Sequence, residues 1–218
     1  MQFKGSENFR HNQPERLGVL VTNLGTPDAP TASALRRYLG EFLWDPRVVE
    51  VPRPLWWMIL HGVILRIRPS RSAKAYAGVW QPEGSPLMTH TADQASAISD
   101  ELKARYGDNV VVGFAMRYGN PSTKSKVEAM IEAGCRKILF FPLYPQYAGP
   151  TVATANDQFF RILMAAKWQP AARTVAPYFD HPLYIDALAQ SVERAYAAAE
   201  KTPDLLVCSY HGVPQRYL

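Results

Sequence analysis

The 218-residue chain carries 24 Lys and Arg against 19 Asp and Glu, a formal charge of +5, with 47% hydrophobic and 20% charged residues. That balance is ordinary for a globular protein with a buried core and excludes a disordered or fibrous chain. The basic residues are scattered apart from Arg66, Arg68, Arg71 and Lys74, so the dense stripe expected of a nucleic-acid binder is missing. The modest positive excess suits an anionic small molecule.

Residues 1–15 read as a flexible tail without the apolar core of a signal peptide. The longest apolar stretch, residues 54–65, is too short to span a bilayer and contains His61, so a cytoplasmic protein is expected. Residues 17–23, Leu-Gly-Val-Leu-Val-Thr-Asn, are short, branched and apolar, the composition of a strand buried on both faces. A helix over 31–42 follows, with Thr31 or Asp28 near its start.

The tryptophan-rich segment 54–66 reads as a helix stopped by Pro69, with a second short helix carrying Tyr76. Over 89–106, Ala95, Ile98, Leu102 and Tyr106 recur at spacings of three and four, the mark of one buried helix face. Strand composition returns at 110–114, 137–141 and 205–209, with a short strand at 173–175. Helical patterns over 122–133, 152–168 and 183–199 alternate with them, the last presenting Leu188, Val192 and Tyr196.

Strands alternating with helices predict an α/β fold, an open parallel sheet with Rossmann-like helices on both faces. The expected organisation is a tail (1–15), a first domain (16–177) and the start of a second, similar domain (178–218). Cys135 and Cys208 form no C-x-x-C pair, so a structural zinc site is not expected and both read as buried free thiols.

Open parallel sheets bind ligands beyond the carboxyl ends of their strands, so the junctions carry the chemistry. They read Asn23-Leu24-Gly25-Thr26-Pro27, Met116-Arg117-Tyr118-Gly119-Asn120-Pro121, Tyr144-Pro145-Gln146-Tyr147 and Ser209-Tyr210-His211-Gly212-Val213-Pro214. Flat tyrosines suit a flat apolar ligand, an arginine suits a carboxylate or phosphate, and a histidine suits proton transfer or a metal. The first turn is not G-x-G-x-x-G, and neither a P-loop nor a G-x-S-x-G turn is present.

These four segments, with Gly84-Ser85-Pro86, run in the order found in ferrochelatases, and the chain resembles the N-terminal part of a bacterial member of that family. The resemblance implies insertion of ferrous iron into protoporphyrin IX to form protohaem, with iron as substrate and no organic cofactor. It makes His211 the catalytic residue, removing pyrrole protons, handling the metal, or both, since a base that titrates near working pH is most efficient and a neutral imidazole can ligate divalent iron.

The same resemblance places Arg117 against a propionate and Tyr118 either against the macrocycle or hydrogen-bonded to a water near the metal path. Tyr144, Gln146 and Tyr147 would form a wall of the cleft, with one of the two tyrosines open to a core-packing role instead. Leu24 would face the ring, and Arg68 and Tyr76 would stand at its lip. The segment from Trp56 to Ile67 is either that apolar lip, able to touch a membrane, or a helix buried in the core. The glutamate the family also uses belongs to its C-terminal part, beyond residue 218, so the chain alone is expected to bind porphyrin weakly or be inactive. The alternatives are a related chelatase using another porphyrin or metal, and a non-catalytic tetrapyrrole-binding fragment.

Overall fold

The computed structural model describes residue 5, residues 12–201 and residues 203–217. Of the expected tail, residues 1–4 and 6–11 lie outside the described residues. Four strands pair in parallel in the order β2-β1-β3-β4. They are β1 (Arg16–Thr26), β2 (Val110–Gly119), β3 (Cys135–Pro142) and β4 (Ala171–Thr174). β1 takes an interior place because Val19, Leu20 and Val21 tolerate burial on both faces.

β1 and β2 run further than their apolar cores suggest. The ladder continues through Asn23↔Met116 and Gly25↔Tyr118 to Thr26↔Gly119. Residues expected in the turns are therefore the last rungs of the sheet. Gly25 makes this contact possible: its φ is +110°, and a Cβ there would stand 1.9 Å from the Tyr118 carbonyl oxygen.

The helices are α1 (Ala32–Trp44), α2 (Arg53–Ile59), α3 (Leu65–Val79), α4 (Pro86–Tyr106), α5 (Thr123–Glu132), α6 (Thr154–Ala165) and α7 (Pro182–Ala198). Thr31 is the N-cap of α1, its hydroxyl accepting from the Ala34 amide at 3.4 Å. Single π-helical turns precede α3 (Leu60–Ile64) and α6 (Gly149–Ala153).

α5 and α6 cover one face of the sheet, where Val127, Met130, Phe159 and Leu163 pack on Leu20, Ala115, Ile138 and Phe140. The rings of Phe140 and Phe159 stack there with centroids 4.5 Å apart. α4 runs along β1 and β2, where Asn23 Nδ2 reaches Thr91 Oγ1 at 3.2 Å. A second cluster joins α1 and α3 to the end of β2 through Leu35, Tyr38, Leu39, Leu60, Leu65 and Tyr118.

Five expectations are corrected. Pro69 does not stop a helix but lies buried inside α3, because the carbonyl of Leu65, four residues earlier, accepts from Arg36 Nε at 2.9 Å instead of from the N–H proline lacks. Residues 205–209 form no strand: a strand needs a neighbour's free edge, and here Leu205, Leu206 and Val207 stand exposed beside none. Cys208 is exposed for the same reason, whereas Cys135 is buried. α7 forms where expected but buries no residue, its apolar Leu183, Ile185 and Leu188 facing outward. In α4, Ala95 is buried and Ile98 and Leu102 are half-buried, but Tyr106 at the helix end is exposed.

Candidate active site

The order β2-β1-β3-β4 reverses direction between β1 and β3, so the turns after these two strands diverge and leave a crevice at their carboxyl ends. Three of the four predicted junctions meet in this region. The turn after β1 is fixed by its own polar groups. Asn23 Oδ1 accepts from the Leu24 amide at 2.9 Å, Thr26 Oγ1 donates to Ser85 Oγ at 2.9 Å, and the Tyr38 hydroxyl donates to the Gly25 carbonyl at 3.1 Å. Gly84-Ser85-Pro86 thus serves as the anchor for that turn.

Leu24, Tyr76 and Tyr118 belong to one apolar cluster, so the structure brings these three predicted residues together. Tyr76 shares a side-chain hydrogen bond with Tyr38 and feels the charge of Arg68, which is itself exposed. Burial first, and Tyr76 second, push the Tyr38 phenol far above its usual range.

Arg117 and Tyr118 point inward. Arg117 is 7% exposed, and its Nε donates to the carbonyl oxygen and hydroxyl of Thr154 at 3.0 and 2.8 Å. Its Nη2 donates to Asp45 Oδ2, and its guanidinium lies over the Tyr118 ring 4.3 Å from the centroid. The Tyr118 hydroxyl donates to the same Asp45 oxygen at 2.9 Å, and the Thr154 hydroxyl also reaches it. The other Asp45 oxygen accepts from the Arg47 amide at 2.7 Å.

Burial alone would raise the Asp45 pKa. Hydrogen bonds from Thr154, the Arg47 amide and Tyr118, with the charge of Arg117, outweigh that and hold the carboxyl below its usual range. Asp45 and Thr154 are residues the sequence reading missed. The available signal was a lone acid in the apolar run Phe42-Leu43-Trp44-Asp45-Pro46.

The junction after β3 divides its residues. Tyr144 turns in; its hydroxyl is enclosed without a hydrogen-bond partner among the described residues. Burial, then the neighbouring Tyr118 and Tyr38, push its phenol far upward. Gln146 is exposed. Tyr147, half in solvent, lines a cavity of about 330 Å³ with Pro46, Arg47, Glu50, Gly149, Asp157 and Tyr217. Arg47 crosses its wall in a two-point pair with Asp157, Nε to Oδ2 at 2.9 Å and Nη2 to Oδ1 at 3.1 Å.

His211 is not brought to this cluster. It stands exposed on a segment of irregular backbone, and among the described residues it makes no hydrogen bond. The segment returns to the site at Tyr217, whose Cβ would lie 3.8 Å from a side chain at Gly149. Among the described residues, no cluster of three or more His, Cys, Asp or Glu is placed to hold a metal ion. The segment from Trp56 to Ile67 is neither wholly lip nor wholly core. Trp56 and Leu60 pack inward, with Trp56 Nε1 donating to the Leu43 carbonyl at 2.8 Å, while Trp57, Met58, Val63 and Ile67 face solvent.

Comparison with known proteins places this geometry in a lineage. The Ferrochelatase family model matches residues 16–218. The whole chain is 57% identical to a ferrochelatase of Marinobacter nauticus, covering 59% of that protein, and 54% identical to one of Idiomarina loihiensis, covering 60%. Over 205 residues, 93% of the chain, it is 56% identical to a ferrochelatase of Rhodobacter capsulatus, covering 58% of it. The chain thus spans about three fifths of the length of the curated relatives it matches.

Proposed function

The chain belongs to the ferrochelatase family, and we propose that it serves the insertion of ferrous iron into protoporphyrin IX, the step that forms protohaem. The observation that carries this reading is the meeting of Leu24, Tyr76, Tyr118 and Tyr144 beside the β1–β3 crevice, with Arg47 and Tyr147 lining a cavity nearby. A flat, apolar, dianionic ligand needs this combination of aromatic surface and cationic donors. Residues 16–177 would form the first domain, and residues 178–218, where α7 buries nothing, would begin a second.

In this reading Tyr144, Gln146 and Tyr147 form the wall of the cleft, Leu24 faces the ring, and Arg68 and Tyr76 stand at its lip. Arg117 and Tyr118 act from beneath, where their hydrogen bonds lie. His211 is the base and metal ligand: two N–H protons leave the porphyrin as the metal enters, and an imidazole accepts them near neutral pH. A cleft that favours a bent ring exposes the nitrogen lone pairs and stabilises the transition state over the flat substrate. Iron enters as substrate, and no organic cofactor is invoked. A cytoplasmic location is part of this reading, carried over from the sequence. No helix among the described residues is long and apolar enough to cross a membrane.

The test is zinc insertion into a soluble porphyrin, followed by porphyrin fluorescence, with His211→Ala alongside. Saturable porphyrin binding by the chain is expected, with any zinc turnover lost in the variant. Turnover unchanged in His211→Ala, or no porphyrin binding at all, would overturn the reading. A second reading, porphyrin binding without turnover, is favoured by the exposure of His211 away from the tyrosine cluster. It predicts saturable fluorescence quenching, no zinc product, and equal affinity in His211→Ala.

A further inference from the structure

We propose that Asp45 is a positioning residue for the porphyrin-facing end of the sheet, an assignment that rests on the porphyrin reading above. Asp45 follows the last residue of α1 and is 6% exposed. One of its oxygens gathers Arg117 from β2, Tyr118 from β2 and Thr154 from the start of α6; the other holds the backbone amide of Arg47. A single carboxylate thus joins three elements separated in sequence by up to 109 residues.

The arrangement fits orientation of neighbours better than contact with ligand. The carboxylate is fully engaged by donors, so little remains to bind a substrate. What it fixes are the Tyr118 ring and the backbone of Arg47. The Tyr118 ring is held between Asp45 and the Phe42 ring, whose edge meets it with centroids 5.1 Å apart. Tyr118 packs in the same cluster as Leu24 and Tyr76. On the other side, the amide bond to Asp45 sets the backbone of Arg47, whose side chain crosses the cavity wall to Asp157. Moving Asp45 would move both the aromatic bed and the cationic wall.

The chemistry also says why an amide cannot replace it. Every group facing Asp45 donates, on both oxygens. In Asp45→Asn, either orientation turns an NH2 toward an N–H or O–H donor, so one side of the network opposes donor to donor. Val at position 154 would remove the hydroxyl that accepts from Arg117 and donates to Asp45 while keeping the shape.

The experiment titrates the full chain, Asp45→Asn, Thr154→Val and Tyr118→Phe with a soluble dicarboxylic porphyrin, reading affinity by fluorescence and ring geometry by the Soret maximum and out-of-plane Raman bands. Circular dichroism selects conditions where each variant is folded. Groups that orient binding residues typically cost about 10-fold or more in affinity when removed. Asp45→Asn is expected to bind about tenfold more weakly with shifted Raman bands, and the other two variants to shift the bands the same way with smaller losses of affinity.

A brace that served stability alone would lower the unfolding midpoint and leave affinity and spectrum untouched in the folded variant; that result overturns the assignment while the porphyrin reading stands. Where Asp45→Asn does not fold, Thr154→Val and Tyr118→Phe decide, and wild-type affinity and spectrum in both overturn it. No binding by the unmodified chain overturns the porphyrin reading and the positioning role with it.

Discussion

Arg36 of α1 donates its Nε–H to the carbonyl oxygen of Leu65 at 2.9 Å, and Leu65 stands four residues before Pro69. The proline removes the helical donor for that carbonyl, and the arginine of another helix supplies one. Arg36→Met should therefore cost about 1–2 kcal/mol, the penalty of an orphaned buried carbonyl. Arg37→Met, which removes only an exposed pair with Asp28, should cost less than about 1 kcal/mol. Pro69→Ala should restore most of the loss when added to Arg36→Met, because the alanine N–H returns to the Leu65 carbonyl. Urea midpoints of the three variants and the double variant measure this. Additive effects of Arg36→Met and Pro69→Ala would contradict the coupling.

Glycines separate packing from backbone conformation. Gly25 and Gly84 both have positive φ, +110° and +122°, but a Cβ at Gly25 would strike the Tyr118 carbonyl while one at Gly84 meets nothing within 4 Å. Gly84→Ala should cost about 1–2 kcal/mol from conformation alone. Gly25→Ala should exceed about 3 kcal/mol, since the β1–β2 ladder must part to admit it. Gly40, inside α1, would place its Cβ at an ordinary 3.5 Å from Leu65 Cδ1. Gly40→Ala should raise stability by about 0.5–1 kcal/mol. Thermal unfolding of the three variants must give that order of signs and sizes.

The sheet was readable because its determinants are local. Val19, Leu20 and Val21 have no polar side chain to keep exposed, and Ser122 and Thr31 cap helices by bonds to amides three residues on. Leu24, Tyr76 and Tyr118 were singled out through resemblance, and the fold gathers them in one apolar cluster. Asp45 was not, because its partners lie 72, 73 and 109 residues away and no local pattern announces them. Arg117 illustrates the same limit: the sequence shows an arginine after a strand, but not that Asp45, 72 residues away, is its carboxylate partner. Residues 205–209 have the composition of a strand, but a strand also requires an adjacent edge, which composition does not supply.

The Asp45 carboxyl links acidity to stability. Its folded pKa lies below the ordinary value, so its ionised network stabilises the fold above the unfolded value of about 3.9 and that contribution disappears as pH falls through the folded pKa. Wild type should therefore exceed Asp45→Asn in stability at pH 7 and pH 5, with the gap narrowing below about pH 4. Urea unfolding of both proteins across that range reads the gap directly. A gap that does not narrow as pH falls below about 4 would show that Asp45 is not ionised in the fold.

The exposed side of residues 57–67 carries the last prediction. Trp57, Met58, Val63 and Ile67 are each more than half exposed, on successive turns of α2, the π-helical turn and α3. His61 lies between Trp57 and Trp44, with ring centroids 5.1 and 6.4 Å away, and Arg53 covers Trp44 at 3.8 Å. Arg66, Arg68, Arg71 and Lys74 follow on the same stretch of helix. Apolar side chains beside aromatic edges and a basic flank are what a helix needs to lie in the surface of an anionic bilayer. Trp57→Ser with Val63→Ser removes largely exposed apolar surface and the ring contact of Trp57 with the exposed His61, so stability should fall by about 1 kcal/mol or less. Losing two partly inserted side chains at about 1 kcal/mol each should weaken binding to phosphatidylglycerol vesicles roughly tenfold or more. Vesicle co-sedimentation at low and moderate salt measures it. Equal sedimentation of both proteins would remove the membrane from the account of this face.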